Sequence, residues 1–438
     1  MLTIYSRPSR ELWFFRHKFQ QFFCSAMSLS SEFLPVLGIE TREEYTVCEN
    51  IVKVSMYSVF SCDDTAVSIV TDRILSSRQF SDRVTQVRLG GICPSVSALQ
   101  HRNLLPCLIQ ECLYECNLRL NDLNGIAVTS RPGLVVTLKA GIMQAIGLAR
   151  RGFLSLVGVH HMQAHATVAT LCKNTIRYPF IAFLVSGGHS LISVANGPEK
   201  FELYGQSICG SCGECLDKVT RALLRKMNIK EERHFGSVLE DMAGRSRNEG
   251  SLKYRITMPS SNGANFDFGS IKSRYLFLLE KLYNQEDFDP ESFCASVQHC
   301  VAGYLAGRLH NFLEYLSESG KLDSMDRTIV LAGGVASNQY ILKMLQLVAS
   351  FYGFNVFSPP PSLCTDNAVM IAWNGSLLIR NGSRSVYPYE NLPITLYAES
   401  RSPIGPDMTF LVPRHPRRKL SVKYLAENKV VFYNKSHA

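Results

Sequence analysis

Two apolar runs in this chain each end in a pair of glycines, and that recurrence limits the fold more than any other feature. Phe180-Ile181-Ala182-Phe183-Leu184-Val185 runs into Ser186-Gly187-Gly188-His189, and Thr328-Ile329-Val330-Leu331-Ala332 runs into Gly333-Gly334. Short apolar stretches bounded by glycine predict buried strands. After the first, another strand from Ser190 to Val194 follows at once, which predicts a hairpin whose turn N–H groups can wrap a phosphate. His189 in that turn is a ligand, a phosphate contact or simply an exposed turn residue. After the second, the glycines open a helix through Val335-Ala336-Ser337-Asn338, a format that lets backbone approach a nucleotide closely. One such turn is a weak signal; two, each directly after an apolar strand, point to a nucleotide site.

Elsewhere strands and helices alternate. Leu34 to Thr41 and Ser61 to Val70 read as strands, and the two look like halves of one hairpin. Helical periodicity over Val96 to Leu118 and Leu134 to Ala149 brackets the strand Gly125 to Thr129, and Leu154 to Val159 is a further strand. Leu216 to Lys230 and Phe293 to Leu316 are helical, while Glu231 to Ser261 is polar and charge-rich. This alternation predicts layered α/β units. A chain of 438 residues, 46% hydrophobic and 19% charged, is large enough to divide: an N-terminal α/β lobe over 34–177, a C-terminal α/β lobe over 178–398, and a basic tail over 399–438 carrying Arg414, Arg417, Arg418 and Lys419.

Residues 1–33 stand apart. Arg7, Arg10, Arg16 and Lys18 face a single acid, Glu11, and Leu12, Phe15, Phe19 and Phe22 would line one side of a helix. That is the pattern of a mitochondrial presequence; a secretory leader fits poorly because Arg16 and Lys18 split the apolar run. The stretch Leu134 to Val159 is interrupted by Lys139, Arg150 and Arg151, so no membrane insertion is expected. The formal charge of +9 and pI near 8.8 suit a polyanion such as RNA, although part of the excess lies in the leader.

Two histidines four apart, in Val159-His160-His161-Met162-Gln163-Ala164-His165, follow the strand that ends at Val159. On a helix, His161 and His165 share a face and can reach one divalent metal. Two ligands do not close a site, and the best third candidate is Asp366 in Cys364-Thr365-Asp366-Asn367, beyond the turn Pro359-Pro360-Pro361. Two imidazoles and a carboxylate suit iron, zinc or manganese. The fourteen cysteines are too scattered for a disulfide scaffold. Cys209, Cys212 and Cys215 have metal-like spacing but no fourth ligand at a recognisable distance, and read as a glycine-rich turn that carries cysteines.

In order, the segments Leu37-Gly38-Ile39-Glu40-Thr41 continued by Ser61-Cys62-Asp63-Asp64-Thr65, then HHMQAH, SGGHS, GGVASN and PPPSLCTDNAVMIAWNG, resemble the tRNA threonylcarbamoyladenosine transferase family, once labelled O-sialoglycoprotein endopeptidases. The leader is similar to that of the mitochondrial branch. The resemblance covers Leu34 to Gly382. It implies an actin-like ATPase (ASKHA) fold, two α/β lobes with a nucleotide cleft between them. It also implies a reaction: threonylcarbamoyl transfer from threonylcarbamoyl-adenylate to the N6 amine of the adenosine beside the tRNA anticodon, position 37, in the mitochondrial matrix, with AMP released. Partners are then tRNA and the adenylate, with a homodimer left open, and the cofactor is one divalent ion, iron or zinc, on His161, His165 and Asp366. The resemblance places nucleotide contacts at Gly236, Glu240, Gly333, Gly334 and Asn338 and the catalytic acids at Asp63 and Asp64; Gly213, in the Gly-Glu-x-x-Asp-Lys motif, and the turn Ser186, Gly187, Gly188 and His189, as a phosphate loop, complete the expected nucleotide site. Asp63 is then the base for the attacking amine.

Four features depart from the family pattern. Cys209-Gly210 stand where an Asp usually precedes the Gly-Glu-x-x-Asp-Lys motif, here Gly213, Glu214, Asp217 and Lys218; Phe266-Asp267-Phe268-Gly269-Ser270 exchanges a glycine and a hydroxyl; and Gln163 stands for a common Glu. A metallopeptidase would need a carboxylate beside the first histidine, where this chain has Met162. A sugar kinase or chaperone-like ATPase of the same fold would hold its Mg²⁺ by carboxylates and phosphates rather than by histidines. Fourth, Arg42 to Phe60 interrupts the Glu-Thr/Ser-Cys-Asp motif, and joining Thr41 to Ser61 restores it without a missing residue. Such a clean interruption is what an unspliced intron leaves, and the expectation is that the chain as written is a poor enzyme.

Overall fold

The computed structural model describes residues 36–40, 65–80, 94–231, 233–246, 250–260 and 262–434. The presequence-like leader, the segment Arg42 to Phe60, and Asp63 and Asp64 lie outside these described residues.

Strands β1 (Val36–Glu40), β2 (Thr65–Val70), β3 (Ile74–Phe80), β4 (Gly125–Arg131) and β5 (Ser155–His160) make the body of one sheet. Strands β6 (Phe180–Val185), β7 (Ser190–Ala195), β8 (Phe201–Cys209), β9 (Phe266–Asp267), β10 (Thr328–Ala332) and β11 (Asn355–Phe357) make a second. β12 (Val386–Tyr387) returns to the first sheet and pairs antiparallel with β5. The resulting orders are β12-β5-β4-β1-β2-β3 and β11-β10-β6-β7-β8-β9.

Five strands of each sheet repeat one plan. In the first, β1, β2 and β3 run as an antiparallel meander, β4 lies parallel to β1, and β5 parallel to β4. In the second, β6, β7 and β8 form the meander, β10 lies parallel to β6, and β11 parallel to β10. This duplicated mixed α/β plan is that of the actin-like ATPase fold. β6 sits at the middle of its sheet with both faces covered, which is why all of its residues are apolar and buried. β3, at an edge, mixes exposed Ile74 and Phe80 with polar positions.

Helices α1 (Pro94–Glu115) and α2 (Val135–Gly152) cover one face of the first sheet, where Leu105, Ile109, Leu138 and Ile142 meet Val67, Ile69, Ile126 and Val128. α3 (His161–Cys172) follows β5 but packs on the second sheet: Met162, Ala166 and Ala169 lie against Phe180, Ala182, Leu184 and Val330. On the other face of that sheet are α4 (Cys212–Lys226), α5 (Phe235–Arg245), α6 (Phe268–Leu282) and the long α7 (Pro290–Glu318). After β10 comes α8 (Gln339–Phe351); after β11 comes α9 (Ala368–Arg380).

α9 makes the opposite exchange to α3. It follows the second sheet yet packs on the first, so closely that a Cβ on Gly38 of β1 would lie 2.3 Å from the Ala368 carbonyl oxygen, and one on Gly375 would lie 2.4 Å from the Ala127 Cβ. The exchanged helices also hold each other: the Trp373 indole N–H donates to the Thr167 carbonyl (3.1 Å) and Thr170 Oγ1 (2.9 Å), and the Asn374 amide donates to Thr167 Oγ1 (3.1 Å). Among the described residues no helix is long and apolar enough to cross a membrane.

Two sequence expectations need correcting. Residues from Glu399 are no loose tail: Glu399 exchanges backbone hydrogen bonds with Gly133 and Ser130, Leu203 with Pro406 and Met408, and β13 (Arg418–Leu420) pairs with β14 (Phe432–Asn434). Arg418 is bound to Glu314 of α7 at 3.0 Å, while Arg414, Arg417 and Lys419 are exposed. Residues 235–245, inside the stretch read only as polar, are helical because Val238, Leu239, Met242 and Ala243 form one buried face.

Candidate active site

Because α3 and α9 cross over, the ends of the fifth strand of each unit arrive at one place. His161 and His165 come from the first turns of α3, directly after β5, and Asp366 from the loop after β11. The Asn367 side chain caps α9 by accepting from the Met370 N–H (3.0 Å), which fixes the backbone next to Asp366. His165 Nε2 lies 3.0 Å from His161 Nε2 and 2.8 Å from Asp366 Oδ1; His161 Nε2 lies 3.3 Å from Asp366 Oδ2. The rings meet edge to face, with centroids 4.6 Å apart, and all three side chains are buried. Burial alone would raise the Asp366 carboxyl, but the charges and hydrogen bonds of His161 and His165 outweigh it and hold Asp366 well below the usual carboxylate range.

Three potential donors converging within 4.8 Å in a buried setting suit a divalent ion, which would satisfy two imidazole lone pairs and a carboxylate at once. Among the described residues this is the group of His, Cys, Asp and Glu with that geometry. Cys212 and Cys215, by contrast, are part of the apolar core under α4, and burial pushes the Cys212 thiol well up. Gln163 points away from the histidines' partner, and its amide donates instead to the carbonyls of Ile404 (2.9 Å) and Glu199 (3.3 Å), which a carboxylate could not do.

Asp366 also lines a cavity of about 180 Å³ on the second unit. Ser186 and Gly187 form one wall, Gly213 and Asp217 of α4 another, Gly236 and Glu240 of α5 a third, and Gly334 and Asn338 a fourth. Gly188, His189 and Gly333 are adjacent but not part of the lining. The turn after β6 is closed by the Ser186 N–H donating to the His189 carbonyl (2.7 Å). A Cβ on Gly213 would lie 2.8 Å from the Gly187 Cα, so glycine lets the first turn of α4 rest on that loop. Gly333 has φ +99° and would place a Cβ 2.3 Å from the Val185 carbonyl oxygen, so no other residue fits. Asn338 caps α8 by accepting from the Ile341 N–H (3.0 Å) and receives the Gln298 amide (3.1 Å). Glu240 accepts from the Gln339 N–H (2.7 Å); its carboxyl is raised by burial, an effect these N–H groups oppose.

Asp217 is a lining residue that sequence reasoning left outside the site. Desolvation pushes its carboxyl up to about 7, against the opposing charge of Arg221 and the Gly236 N–H. The signal was present: Asp217 lies four residues after Gly213 on a helix, hence on the same face. Ser337 and Thr365, inside two of the family motifs, and Ser237, outside them, line the cavity too. Asp63 and Asp64 lie outside the described residues, but Thr65, next in the chain, is held by His101, whose Nδ1 is 2.8 Å from Thr65 Oγ1.

The family model of TsaD, tRNA N6-adenosine threonylcarbamoyltransferase, matches residues 73–373. The chain belongs to this transferase family. It is 46% identical over 365 residues to the probable mitochondrial tRNA N6-adenosine threonylcarbamoyltransferase of Caenorhabditis elegans, covering 82% of this chain and 86% of that protein. To the mitochondrial enzyme of Homo sapiens it is 31% identical over 364 residues, covering 80% and 85%. Among solved structures, HypF of T. kodakarensis aligns over 83% of this chain and 49% of that one, with a TM-score of 0.47 and 16% identity. Against the family pattern the exchanged hydroxyl has a local solution: Asp267 caps α6, accepting from the Ser270 N–H at 2.9 Å and from its Oγ at 2.5 Å. The transferase motif residue Glu214 pairs with Lys218 and Lys272, each at 2.8 Å, which keeps it out of the cavity lining.

Proposed function

We propose that this transferase uses threonylcarbamoyl-adenylate as donor and the N6 amine of the adenosine beside the anticodon, position 37, of mitochondrial tRNA as acceptor. The observation that carries the reading is the shared wall: Asp366 belongs both to the His-His-Asp group and to the glycine-lined cavity. A donor whose adenylate lies in the cavity presents its carbamoyl carbon toward that group. Bond formation from N6 to the carbamoyl carbon is matched by cleavage of the carbon–oxygen bond to the phosphate, which leaves as AMP. The amine proton passes to Asp63, with Asp64 beside it, both assigned from sequence. Backbone N–H groups of Gly187, within the Ser186 to His189 turn, and of Gly334, after Gly333, hold the adenylate phosphate, and Gly236, Glu240, Gly213 and Asn338 set the nucleoside. An iron or zinc ion held by His161, His165 and Asp366 would supply Lewis-acid stabilisation of charge on the carbamoyl oxygen.

Incubation with threonylcarbamoyl-adenylate and unmodified tRNA tests this reading. The modified nucleoside is the expected product, and AMP release without it would overturn the acceptor assignment. Exposed Arg414, Arg417 and Lys419 are proposed phosphate contacts. Neutralising all three should lower the salt dependence of tRNA binding by about one unit of slope per lost contact; an unchanged slope removes them from the interface. Mitochondrial matrix targeting is proposed from residues 1–33 and the mitochondrial relatives, and a reporter fused to those residues that stays outside the organelle would refute it. A homodimer is proposed from exposed Val136 and Met143 on α2 and Leu99 and Tyr114 on α1; sedimentation as a monomer at micromolar concentration would reject it.

A further inference from the structure

A second cavity of about 150 Å³ lies between α7, residues 251–258 and the C-terminal segment. Its walls are largely apolar, with Leu252, Ile256, Met258 and Val422. Two exposed cations line it, Arg255 and Lys423, and no acidic side chain among the described residues does. Among its lining residues one polar atom lacks a partner: His299 is only 4% exposed, and its Nε2 is buried with no hydrogen bond. The other ring nitrogen, Nδ1, lies 2.7 Å from the Tyr340 hydroxyl. Burial and then the Arg255 charge push the His299 imidazole down to about 4, so at neutral pH it carries one proton. Of the two tautomers that the Nδ1–Tyr340 contact allows, the one in which the phenol donates to Nδ1 leaves that proton on Nε2, and it is the one an anionic occupant selects. A buried N–H without an acceptor is costly, and its complement is an anion or a carbonyl oxygen.

We propose that this cavity binds a small carboxylate with a short apolar body, its oxygens taken by His299 Nε2 and the Arg255 and Lys423 side chains. The apolar walls exclude a bare inorganic anion, which would leave them wet, and the cations disfavour a neutral hydrocarbon occupant. The site is wired to the cleft. Tyr340 and Gln339 open α8, and their backbone N–H groups bind the Glu240 carboxylate, with the Gln339 bond at 2.7 Å. Gln298, beside His299 on α7, holds Asn338 at 3.1 Å. An occupant that fixes the His299 ring therefore acts, through Tyr340, on two residues of the proposed nucleotide site. This coupling rests on the adenylate reading; the binding site itself does not.

The test titrates hexanoate into the full-length chain, with 1-hexanol as the uncharged control and thermal melting to check that each variant folds. Hexanoate should bind in the millimolar range or tighter and hexanol should not compete. Removing both exposed cations, R255A with K423A, should weaken hexanoate binding about tenfold, as expected for charge-assisted hydrogen bonds, and His299→Leu should abolish it. No hexanoate binding, or binding indifferent to R255A with K423A, overturns the site. Saturating hexanoate should also shift AMP affinity about fivefold, and Tyr340→Phe should remove that shift while keeping hexanoate binding. An unmoved AMP affinity overturns the coupling. Absence of AMP binding altogether would instead count against the adenylate reading, leaving hexanoate binding to decide the cavity.

Discussion

The two units turn their first hairpins very differently. In the second, four residues, 186–189, separate Val185 from its strand partner Ser190. In the first, twenty-five residues, 41–65, separate Glu40 from its partner Ala66. Both hairpins nevertheless hold a continuous antiparallel register, Val36 with Val70 through Glu40 with Ala66 and Phe180 with Ala195 through Val185 with Ser190. Strand pairing in the first unit is therefore compatible with the presence of Arg42 to Phe60; without that segment six residues, 41 and 61–65, would join the strands. The difference teaches that the scaffold tolerates a long connection, at a closure cost of about 1 kcal/mol for two doublings of length. We propose that the chemistry is less tolerant, because the same connection carries Asp63 and Asp64, the proposed catalytic acids.

The severest way to break the comparison is to remove the point where both units meet. His165→Ala should lose the metal proposed for this site and lower transfer on the order of a thousandfold, while circular dichroism and the melting curve stay near those of the parent, since α3 keeps Met162, Ala166 and Ala169 in the core. Unchanged metal stoichiometry in that variant would remove His165 from the ligand set.

Making the first hairpin more like the second should have the next largest effect. Joining Thr41 to Ser61 should raise turnover about a hundredfold, the scale on which a misplacement of one ångström acts. Equal turnover by the two chains would refute the assignment of Arg42 to Phe60 as a disruption.

The smallest effect sharpens the contrast from the side of the second unit. Asp217, raised to about 7 by burial, binds a proton in the folded state that it has released in the unfolded state between pH 4 and 7. Stability should therefore fall as pH rises across that window, by at most about 1.4 kcal/mol per pH unit, and level off above it. His101 and His299, both pushed down to about 4 by burial, act in the opposite sense between pH 4 and 6.5. The difference between Asp217→Asn and parent urea curves isolates the carboxyl. A difference independent of pH would show that Asp217 is ionised throughout.

How much of this was legible beforehand follows from what each signal depends on. β6 and β10 were readable because strands covered on both faces are apolar throughout. β3 was not, since an edge strand with Ser76, Ser77, Arg78 and Gln79 has neither a continuous nor a strictly alternating pattern. The pairing of His161 with His165 follows from helical spacing alone, whereas Asp366, far away in the chain, was a candidate that only the family resemblance tied to them. Nothing in the local sequence of α3 or α9 states which sheet each will cover; that choice is made by close approaches such as Gly38 to Ala368, which exist only in the assembled fold. Residues 399–434 were misread because positive charge is common on solvated termini, and the acids that partner Arg418 and Arg417, Glu314 and Glu318, are about a hundred positions away.

The exchanged helices have a consequence for how the two units move. His161 and His165 ride on the helix that packs on the second sheet, and Asp366 leads into the helix that packs on the first. An ion held on all three would act as a rivet through two crossed blades, fixing the angle between them as well as its own shell. By thermodynamic reciprocity, any nucleotide that favours one blade angle must tighten the rivet by the same factor by which the rivet tightens the nucleotide. Metal affinity measured with and without AMP thus reports the angle of the cleft.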